Sequence, residues 1–493
     1  MKFLIDAEQK GKSFPHYWEM CVGSCRAYTA LRADWQKQMK KAHDELGFRY
    51  VRFHGIFCDD MSVCIEAEKP FTHESLGIVY NFINIDKIFD FLLSIDMKPF
   101  IELGFMPSAL ASGAKTCFHY KGNITPPKDI NEWEKLVRAF VEHLVERYGL
   151  NEVRQWYFEV WNEPNLAFFW AGTMQDYFDL YSASARAVKS IDEKLRIGGP
   201  ATSINAWIPE MINYCRQNSL PLDFLSTHHY PSDDPLWRSG MDIKEFLESG
   251  GAEKMGTYER GILRVMTEKT RKEAGSLPLI YTEWNISAVC GESLHDEPYA
   301  SAMLAKILAD NDGLVEGYSY WTVSDIFEEM AQLHGVFHGG FGLQTCDGIP
   351  KPVYRLFQLF HTLGNERLDV NCSGDSSTLE ILAVRGGYRL QLILYNHQVP
   401  AEPVKDEACV VIIKNLKSVK NVTAMRIDEN QANPKSEWIK MGKPAYLNNS
   451  QIRQLKLSSE MQREQIRYTH KADELKIELN VPPHGVCSLE IYY

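Results

Sequence analysis

The sequence predicts an α/β fold, in which a (β/α)8 TIM barrel is followed by a C-terminal β-sandwich domain. From about residue 18 to residue 364, eight short runs rich in β-branched or aromatic residues alternate with longer amphipathic helical patterns. After residue 365 the helical patterns give way to short β-rich segments. Strands that alternate with helices form parallel βαβ units, and eight such units are enough to close a barrel.

The predicted barrel strands are spaced so that a helix fits between successive strands. They are 20–25, 48–55, 97–104, 153–161, 195–200, 222–229, 278–284 and 316–323. The predicted helices are 34–46, 84–95, 129–148, 175–193, 257–274, 297–311 and 354–363, each with apolar residues at helical spacing. An open doubly wound sheet is the alternative, but no G-x-G-x-x-G follows the first strand, so the usual nucleotide fingerprint is missing.

The region after residue 365 predicts strands at 378–384, 388–396, 409–413, 420–427, 474–480 and 486–492. Gly386-Gly387 lies between the first two strands and predicts a hairpin turn. The polar stretch 448–472 predicts a surface loop or a short helix. Short strands without intervening long helices are typical of a sandwich.

Charge and cysteine content exclude several classes of protein. The 53 Lys and Arg residues against 65 Asp and Glu residues give a net charge of −12, which excludes a broad nucleic-acid surface. Asp6 and Glu8 interrupt the N-terminus before the apolar core of a signal peptide, and no apolar run approaches a membrane span. The eleven cysteines include no C-x-x-C pair, which favours reduced thiols. We therefore expect a cytoplasmic protein that binds no membrane; whether it forms a homo-oligomer stays open.

Two glutamates at strand ends indicate the chemistry. Glu163 follows the fourth predicted strand in Trp-Asn-Glu-Pro, and Glu283 ends the seventh in Tyr-Thr-Glu-Trp. The C-terminal ends of barrel strands surround one mouth, where the reactive groups of such barrels lie. Two carboxylates across a cleft are what glycoside hydrolysis requires, because one protonates the leaving oxygen and the other attacks the anomeric carbon or activates water. A structural ion pair is the alternative for a single buried glutamate, but a pair at two strand ends favours catalysis.

Five motifs along the chain resemble glycoside hydrolase family 39, and within it the bacterial β-xylosidases. They are VRFHGIFCDDMSV (51–63), FEVWNEPNLAFFW (158–170), STHHYP (226–231), YTEWN (281–285) and YWTVSDIFEE (320–329). The resemblance covers essentially the whole chain. It implies three segments: 1–15 joins the β-sandwich, 16–364 forms the catalytic barrel, and 365–493 forms the β-sandwich domain.

The resemblance also implies roles for individual residues. Glu163 is similar to the family's general acid/base, and Glu283 to its nucleophile. Tyr230 would donate to Glu283, Trp321 would lie beneath the sugar ring, and either Glu328 or Glu329 would bind hydroxyls at the closed end. Position favours Glu329, although periodicity does not separate adjacent loop residues. The remaining implied sugar ligands are His54, Asn162 and His228.

No metal and no cofactor are expected. His228 and His229 are adjacent on a strand, so their side chains point to opposite faces and do not readily ligate one ion. A metal-dependent barrel hydrolase is also disfavoured because the first strand reads Cys-Val-Gly-Ser-Cys rather than H-x-H. The expected partner is therefore an oligosaccharide substrate.

The function implied is a retaining exo-glycosidase, a β-xylosidase that removes non-reducing-end xylose from xylo-oligosaccharides by double displacement. One alternative is a family-39 hydrolase of another glycoside, an α-L-arabinoside or an α-L-iduronide. Glu328 and Glu329 at the outer edge of the sugar would repel a uronide carboxylate. A non-catalytic carbohydrate-binding relative is the other alternative, but idle buried carboxylates would cost stability.

Overall fold

The computed structural model describes residues 1–329 and 335–493, except for the side chain of Ala252. Eight parallel strands close into a barrel in chain order, which confirms the predicted fold class. The barrel strands are Cys21–Arg26, Tyr50–His54, Lys98–Leu103, Tyr157–Val160, Arg196–Thr202, Phe224–His229, Leu279–Trp284 and Gly317–Tyr320. Each of these strands overlaps a predicted strand in the sequence.

Helices cover the outside of the barrel. The longer ones are Ala33–Leu46, Ile83–Ser94, Ile130–Tyr148, Met174–Ile191, Ile208–Gln217, Ile262–Ala274, Pro298–Asp310 and Pro352–His361. Helix Met174–Ile191 begins with a capping box, in which the Thr173 and Asp176 side chains bond each other's backbone N–H groups. The predicted helix 257–274 begins only at Ile262, because Gly261 has a φ of 84°, outside the helical region. Leu150–Val153, Asp234–Ser239 and Ile243–Glu248 are shorter helices in the same region.

Two further β-sheets lie outside the barrel and contain all six strands predicted after residue 365. The first has the order Asn371–Ser373, Lys2–Asp6, Glu407–Lys414, Glu474–Val481 and Tyr468–Lys471. The second has the order Lys12–Ser13, Glu366–Leu368, Leu379–Gly386, Arg389–Asn396, Val486–Tyr492, Asn421–Ile427 and Glu464–Gln465. Apolar side chains from both sheets form one core, which includes Phe3, Leu392 and Val411.

Smaller elements complete the fold. The Gly386-Gly387 turn is present as predicted, since Gly386 pairs with Arg389 and Gly387 has a φ of 59°. The stretch 448–472 contains the short helix Asn449–Ser458, as one of the two predictions for it has it, but its second half also forms the strands Glu464–Gln465 and Tyr468–Lys471. Helix Pro434–Lys440 precedes it. Two hairpins lie outside the main sheets, Cys64–Glu68 with Ser75–Tyr80 and Thr116–Cys117 with Gly122–Asn123. Within the described ranges, no helix has both the length and the apolar character needed to cross a membrane.

Candidate active site

The barrel interior changes from apolar to charged along the strands. Phe100, Phe224 and Ile280 pack together near the start of their strands. Side chains alternate between the two faces of a strand, so residues two positions further on face the same interior. Glu102 follows Phe100 in this way, and both are buried. The charged residues near the C-terminal ends of the strands therefore line the mouth of the barrel, and the apolar cluster lies beneath them.

Glu163 reaches this mouth through an unusual backbone conformation. Its φ is 44°, in the left-handed region that side-chain-bearing residues rarely occupy, and its N–H donates to the carbonyl of Ala201 at 2.8 Å. Pro164 follows and has no N–H that could continue the strand. The Glu163 carboxyl is buried, with Oε1 3.0 Å from Nδ1 of His228.

Glu283 is the penultimate residue of the seventh barrel strand, and both of its carboxylate oxygens accept hydrogen bonds. Arg52 Nη1 donates to Oε1 at 2.8 Å, and the Tyr230 hydroxyl donates to Oε2 at 3.0 Å. The donor expected of Tyr230 is therefore in position. One carboxylate oxygen of Glu163 lies within 4.8 Å of one oxygen of Glu283, with His228 beside both.

Arg52 connects the charged groups and was not among the residues singled out from sequence. Its Nε donates to Glu159 Oε2 at 2.5 Å, and its Nη2 lies 2.9 Å from both Asn162 Oδ1 and Glu102 Oε2. Arg52 is fully buried, so each of these ion pairs is shielded from water. A signal for this role was available, because Arg52 precedes His54 by two residues in a predicted strand and so faces the same side.

Burial and local charge give the two carboxyl groups different pKa values. Burial raises the pKa of Glu163 well above its usual range, and the charges of Glu283 and Asp233 add to this effect. Burial also raises the pKa of Glu283, but Arg52 and then His54 oppose that rise. Glu163 therefore holds a proton more strongly than Glu283, the difference that a general acid and a nucleophile need.

The two histidines predicted at the mouth have opposite electrostatic surroundings. Burial lowers the pKa of His228 well below its usual range, and Arg52 lowers it further, which leaves a neutral ring. Burial also acts against a charged His54, but the carboxylates of Glu102, Glu329 and Glu283 together outweigh it and raise the pKa of His54. Glu102 Oε2 lies 2.6 Å from His54 Nδ1. His229 points away from the mouth and contacts Tyr318 Oη at 2.6 Å, as expected for adjacent strand residues.

His54, Trp321 and Asn162 come together beside Glu283. His54 Nε2 lies 3.6 Å from Glu283 Oε1, and its ring centroid is 4.8 Å from that of Trp321. The Trp321 ring packs against Gly23, where an added Cβ would lie 2.5 Å from ring carbon Cε3. Asn162 Oδ1 accepts from Arg52, and its Nδ2 has no hydrogen-bond partner in the described part of the chain. The Asn162 amide is thus free to donate to a bound hydroxyl.

The structure distinguishes Glu328 from Glu329. Glu328 Oε2 pairs with Arg26 Nε at 2.9 Å, and its side chain is 27% exposed. The Glu329 side chain is 8% exposed, and its Oε1 lies 3.6 Å from His54 Nε2. Burial raises the pKa of Glu329 to about 8, although His54 partly opposes the rise. Glu329, not Glu328, therefore lies with the other mouth residues.

Glu163, His228 and Glu283 are close enough for their donor atoms to share a metal ion. Their existing partners argue for a different use of these atoms. Both Glu283 oxygens accept from protein donors, and both ring nitrogens of His228 lie 3.0 Å from oxygen atoms. The Arg52 guanidinium also supplies the positive charge that balances Glu283. The arrangement suits proton transfer and nucleophilic attack by carboxylates.

Comparison with known proteins identifies the family. The family model described as "Glycosyl hydrolases family 39" matches residues 1–475 of the chain. A β-xylosidase of Caldicellulosiruptor saccharolyticus is 48% identical over 494 residues, which cover 100% of this chain and 98% of that protein. A β-xylosidase of Geobacillus stearothermophilus is 37% identical, over 90% of this chain and 86% of that protein. The crystal structure of a monomeric β-xylosidase from Caulobacter crescentus superposes with a TM-score of 0.85 and 32% identity, covering 100% of this chain and 99% of that one. The chain therefore belongs to glycosyl hydrolase family 39 and is a glycoside hydrolase.

Proposed function

We propose that the protein is a retaining β-xylosidase that removes xylose from the non-reducing end of xylo-oligosaccharides. The observation that carries the mechanism is the separation of at most 4.8 Å between carboxylate oxygens of Glu163 and Glu283. Retaining glycosidases place their carboxyl groups about 5–5.5 Å apart, whereas inverting ones need about 6.5–9.5 Å to admit a water. The xylose preference is supported by the two β-xylosidases that match most of the chain.

In the first step, Glu283 attacks the anomeric carbon while protonated Glu163 donates its proton to the glycosidic oxygen. The bond from that carbon to the leaving oxygen breaks, and a covalent glycosyl–enzyme ester forms. Arg52 and Tyr230 hold the nucleophile ionised and oriented before attack. Asn162 donates its free Nδ2 proton to the sugar 2-hydroxyl, an interaction that strengthens in the transition state.

In the second step, the Glu163 carboxylate takes a proton from water. The water oxygen attacks the anomeric carbon from the side that the leaving group vacated and releases Glu283. Two inversions at one carbon give a product with the configuration of the substrate. Glu163 is protonated again at the end, which its buried position favours.

The sugar is held by residues around the mouth. Trp321 lies beneath the ring, and His54 and Glu329 bind its hydroxyls. His228 supports Glu163 instead, since both of its ring nitrogens already contact protein oxygens. The buried Glu329 closes the pocket, which suits an enzyme that cleaves from chain ends. A pocket of this kind selects xylose over glucose by leaving no room for the C6 hydroxymethyl group.

The uronide alternative is disfavoured by charge. A uronide hydrolase needs a cation near the sugar's outer edge whose charge is not already balanced by protein carboxylates. Arg26 is the cation beside Glu328, and it pairs with both Asp60 and Glu328. A uronide carboxylate would compete with two carboxylates that Arg26 already contacts.

The test is hydrolysis of p-nitrophenyl β-D-xyloside compared with the matching α-L-arabinoside, β-D-glucoside and α-L-iduronide, with the first-formed anomer followed by NMR. We expect preferential xyloside cleavage with β-xylose as the initial product. Glu283→Gln should abolish this activity, whereas Glu163→Gln should reduce it, mainly because hydrolysis of the glycosyl–enzyme lacks its base. An initial α-xylose product would refute the double displacement, and preference for another glycoside would refute the substrate assignment.

We further propose that the protein acts in the cytoplasm and divides into the segments 1–15, 16–364 and 365–493. All eleven cysteines, each within the described ranges, are unpaired, which suits a reducing compartment. Strand Lys2–Asp6 pairs with Asn371–Ser373 and Glu407–Lys414, which supports the assignment of segment 1–15 to the sandwich. Cell fractionation tests the compartment, and deletion of residues 1–15 should lower the unfolding temperature.

A further inference from the structure

A line of hydrogen bonds leads from Arg52 to Glu163 through three fully buried side chains. Arg52 Nε donates to Glu159 Oε2 at 2.5 Å, and the Thr282 hydroxyl donates to Glu159 Oε1 at 2.8 Å. His228 Nε2 lies 3.0 Å from Thr282 Oγ1, and His228 Nδ1 lies 3.0 Å from Glu163 Oε1. Glu159, Thr282 and His228 are all 0% exposed. Bulk solvent therefore does not reach the line, and each hydrogen bond in it constrains the next.

A β-bulge brings Thr282 into this line. Thr227 pairs with Tyr281 and His228 pairs with Glu283, so Thr282 is an extra residue on the seventh strand. The pairing with the eighth strand shifts at the same place. Strict alternation would send Thr282 and Glu283 to opposite faces of the strand, whereas a bulge re-aims the side chains around it. Both residues consequently face the barrel interior, where Thr282 contacts Glu159 and Glu283 contacts Arg52.

The donors and acceptors in the line determine where each proton lies. Glu159 is a carboxylate paired with a guanidinium, so it only accepts. The single Thr282 proton goes to Glu159, and Thr282 Oγ1 can then only accept from His228 Nε2. His228 therefore carries its proton on Nε2, and a neutral ring with that tautomer has an unprotonated Nδ1.

We propose that Thr282, held by Glu159, is a positioning residue that fixes the Nε2–H tautomer of His228 and so keeps Nδ1 as an acceptor for the Glu163 hydroxyl. This inference rests on the proposed role of Glu163 as the general acid/base. The neutral acid donates to Nδ1 in the resting enzyme. The ionised acid receives no N–H donor from His228, so the bond favours the protonated form of Glu163.

The effect acts together with the other groups that face this pair. Glu163 faces the charged groups Glu283, Asp233 and Arg52 and the polar Ser203 side chain. His228 faces Arg52 and His54, and His229 is its neighbour in the strand. Burial and the two nearby carboxylates raise the pKa of Glu163, while Arg52 and Ser203 lower it. The tautomer of His228 decides whether its ring adds one further hydrogen-bond donor to the groups that lower the pKa of Glu163.

The tautomer itself is read by NMR of protein labelled with ¹⁵N-histidine, with the His228 signals assigned by their loss in His228→Gln. We expect a neutral ring protonated at Nε2 in the wild-type protein. A wild-type ring protonated at Nδ1, or at both nitrogens, near neutral pH would overturn the proposal. This measurement needs no substrate, so its outcome is independent of whether the protein cleaves xylosides.

Thr282→Val removes the acceptor for Nε2–H and lets the ring move its proton to Nδ1, where it can donate to ionised Glu163. We expect the alkaline limb of the kcat/KM pH profile to shift to lower pH by about one unit, because a charge-assisted bond to the carboxylate is gained. Thr282→Ser keeps a hydroxyl and should restore both the profile and the tautomer. Thr270→Val is the matched control, since it removes a buried hydroxyl that donates to Met266 O within a helix.

An unshifted alkaline limb in folded Thr282→Val would overturn the proposal, as would Thr282→Ser behaving like Thr282→Val. If Thr282→Val fails to fold, the wild-type tautomer and the Thr282→Ser profile still decide. The proposed function fails separately, when Glu163→Gln retains full activity. In that case an Nε2–H tautomer would still be observed, but it would serve no acid.

Discussion

Tyr230→Phe tests how the nucleophile is kept ionised. The Tyr230 hydroxyl donates to Glu283 Oε2 at 3.0 Å, while Arg52 donates to the other oxygen. Tyr230 is 6% exposed, and phenylalanine keeps the ring and its packing. The change therefore removes one donor to a buried carboxylate and leaves the Arg52 ion pair in place.

The expected effect follows from the strength of such a bond. A hydrogen bond to a charged group contributes about 1.5–3 kcal/mol, and about 1.4 kcal/mol corresponds to one pKa unit. Loss of the bond disfavours ionised Glu283, whose pKa burial already raises. The nucleophile must be ionised to attack, so the acid limb of the kcat/KM profile should shift to higher pH by about one to two units. At a pH below that limb, the rate should fall about ten- to a hundredfold.

The assay is kcat/KM for p-nitrophenyl β-D-xyloside across the pH range of activity. The limb reports the coupled pair Glu163 and Glu283 rather than either residue alone, so the comparison is between variants. Tyr177→Phe is the matched control, because its buried hydroxyl donates to the Val160 carbonyl at 3.1 Å, outside the mouth. An acid limb in Tyr230→Phe that coincides with those of the wild type and Tyr177→Phe would refute the reasoning.

Three further predictions concern the carboxyl groups. Glu163→Ala should impair aryl xylosides with good leaving groups least, because they need little protonation; equal loss for good and poor leaving groups would exclude the acid role. Glu283→Gly should abolish turnover and regain partial activity with azide, giving the α-azide, whereas azide with Glu163→Ala should give the β-azide; an unreduced rate in Glu283→Gly would exclude the nucleophile role. Glu329 has a pKa of about 8 when folded against 4.5 for a free glutamate, so the folded protein binds more protons and stability falls as pH rises between these values. Glu329→Gln should remove this pH dependence, so the unfolding temperature of the variant minus that of the wild type should rise as the pH rises from about 4.5 to about 8. A difference that does not change with pH would contradict the raised pKa of Glu329.

The fold was largely predictable from the sequence because its signals are local. The eight strands and most of the helices between them follow from apolar spacing, and right-handed βαβ connections leave few ways to arrange them. Helix Ile208–Gln217 is the exception, since it was not predicted. The late start of helix Ile262–Ala274 was missed, because the apolar pattern extends back past Gly261 while the backbone there is not helical. The bulge at Thr282 also escaped detection, since it depends on register with two neighbouring strands.

The sequence by itself determined that Glu163 and Glu283 lie at the same mouth of the barrel. Residues at the C-terminal ends of barrel strands meet there whatever the details of packing. Only the tertiary structure decided what surrounds them. Arg52 shares a strand face with His54, but its partner Glu159 comes from another strand, so their pairing leaves no trace in the sequence of either strand. Closure of the barrel buries both and pairs them. The choice of Glu329 over Glu328 likewise depends on distances to Arg26 and His54, which come from other strands and have no trace in local periodicity.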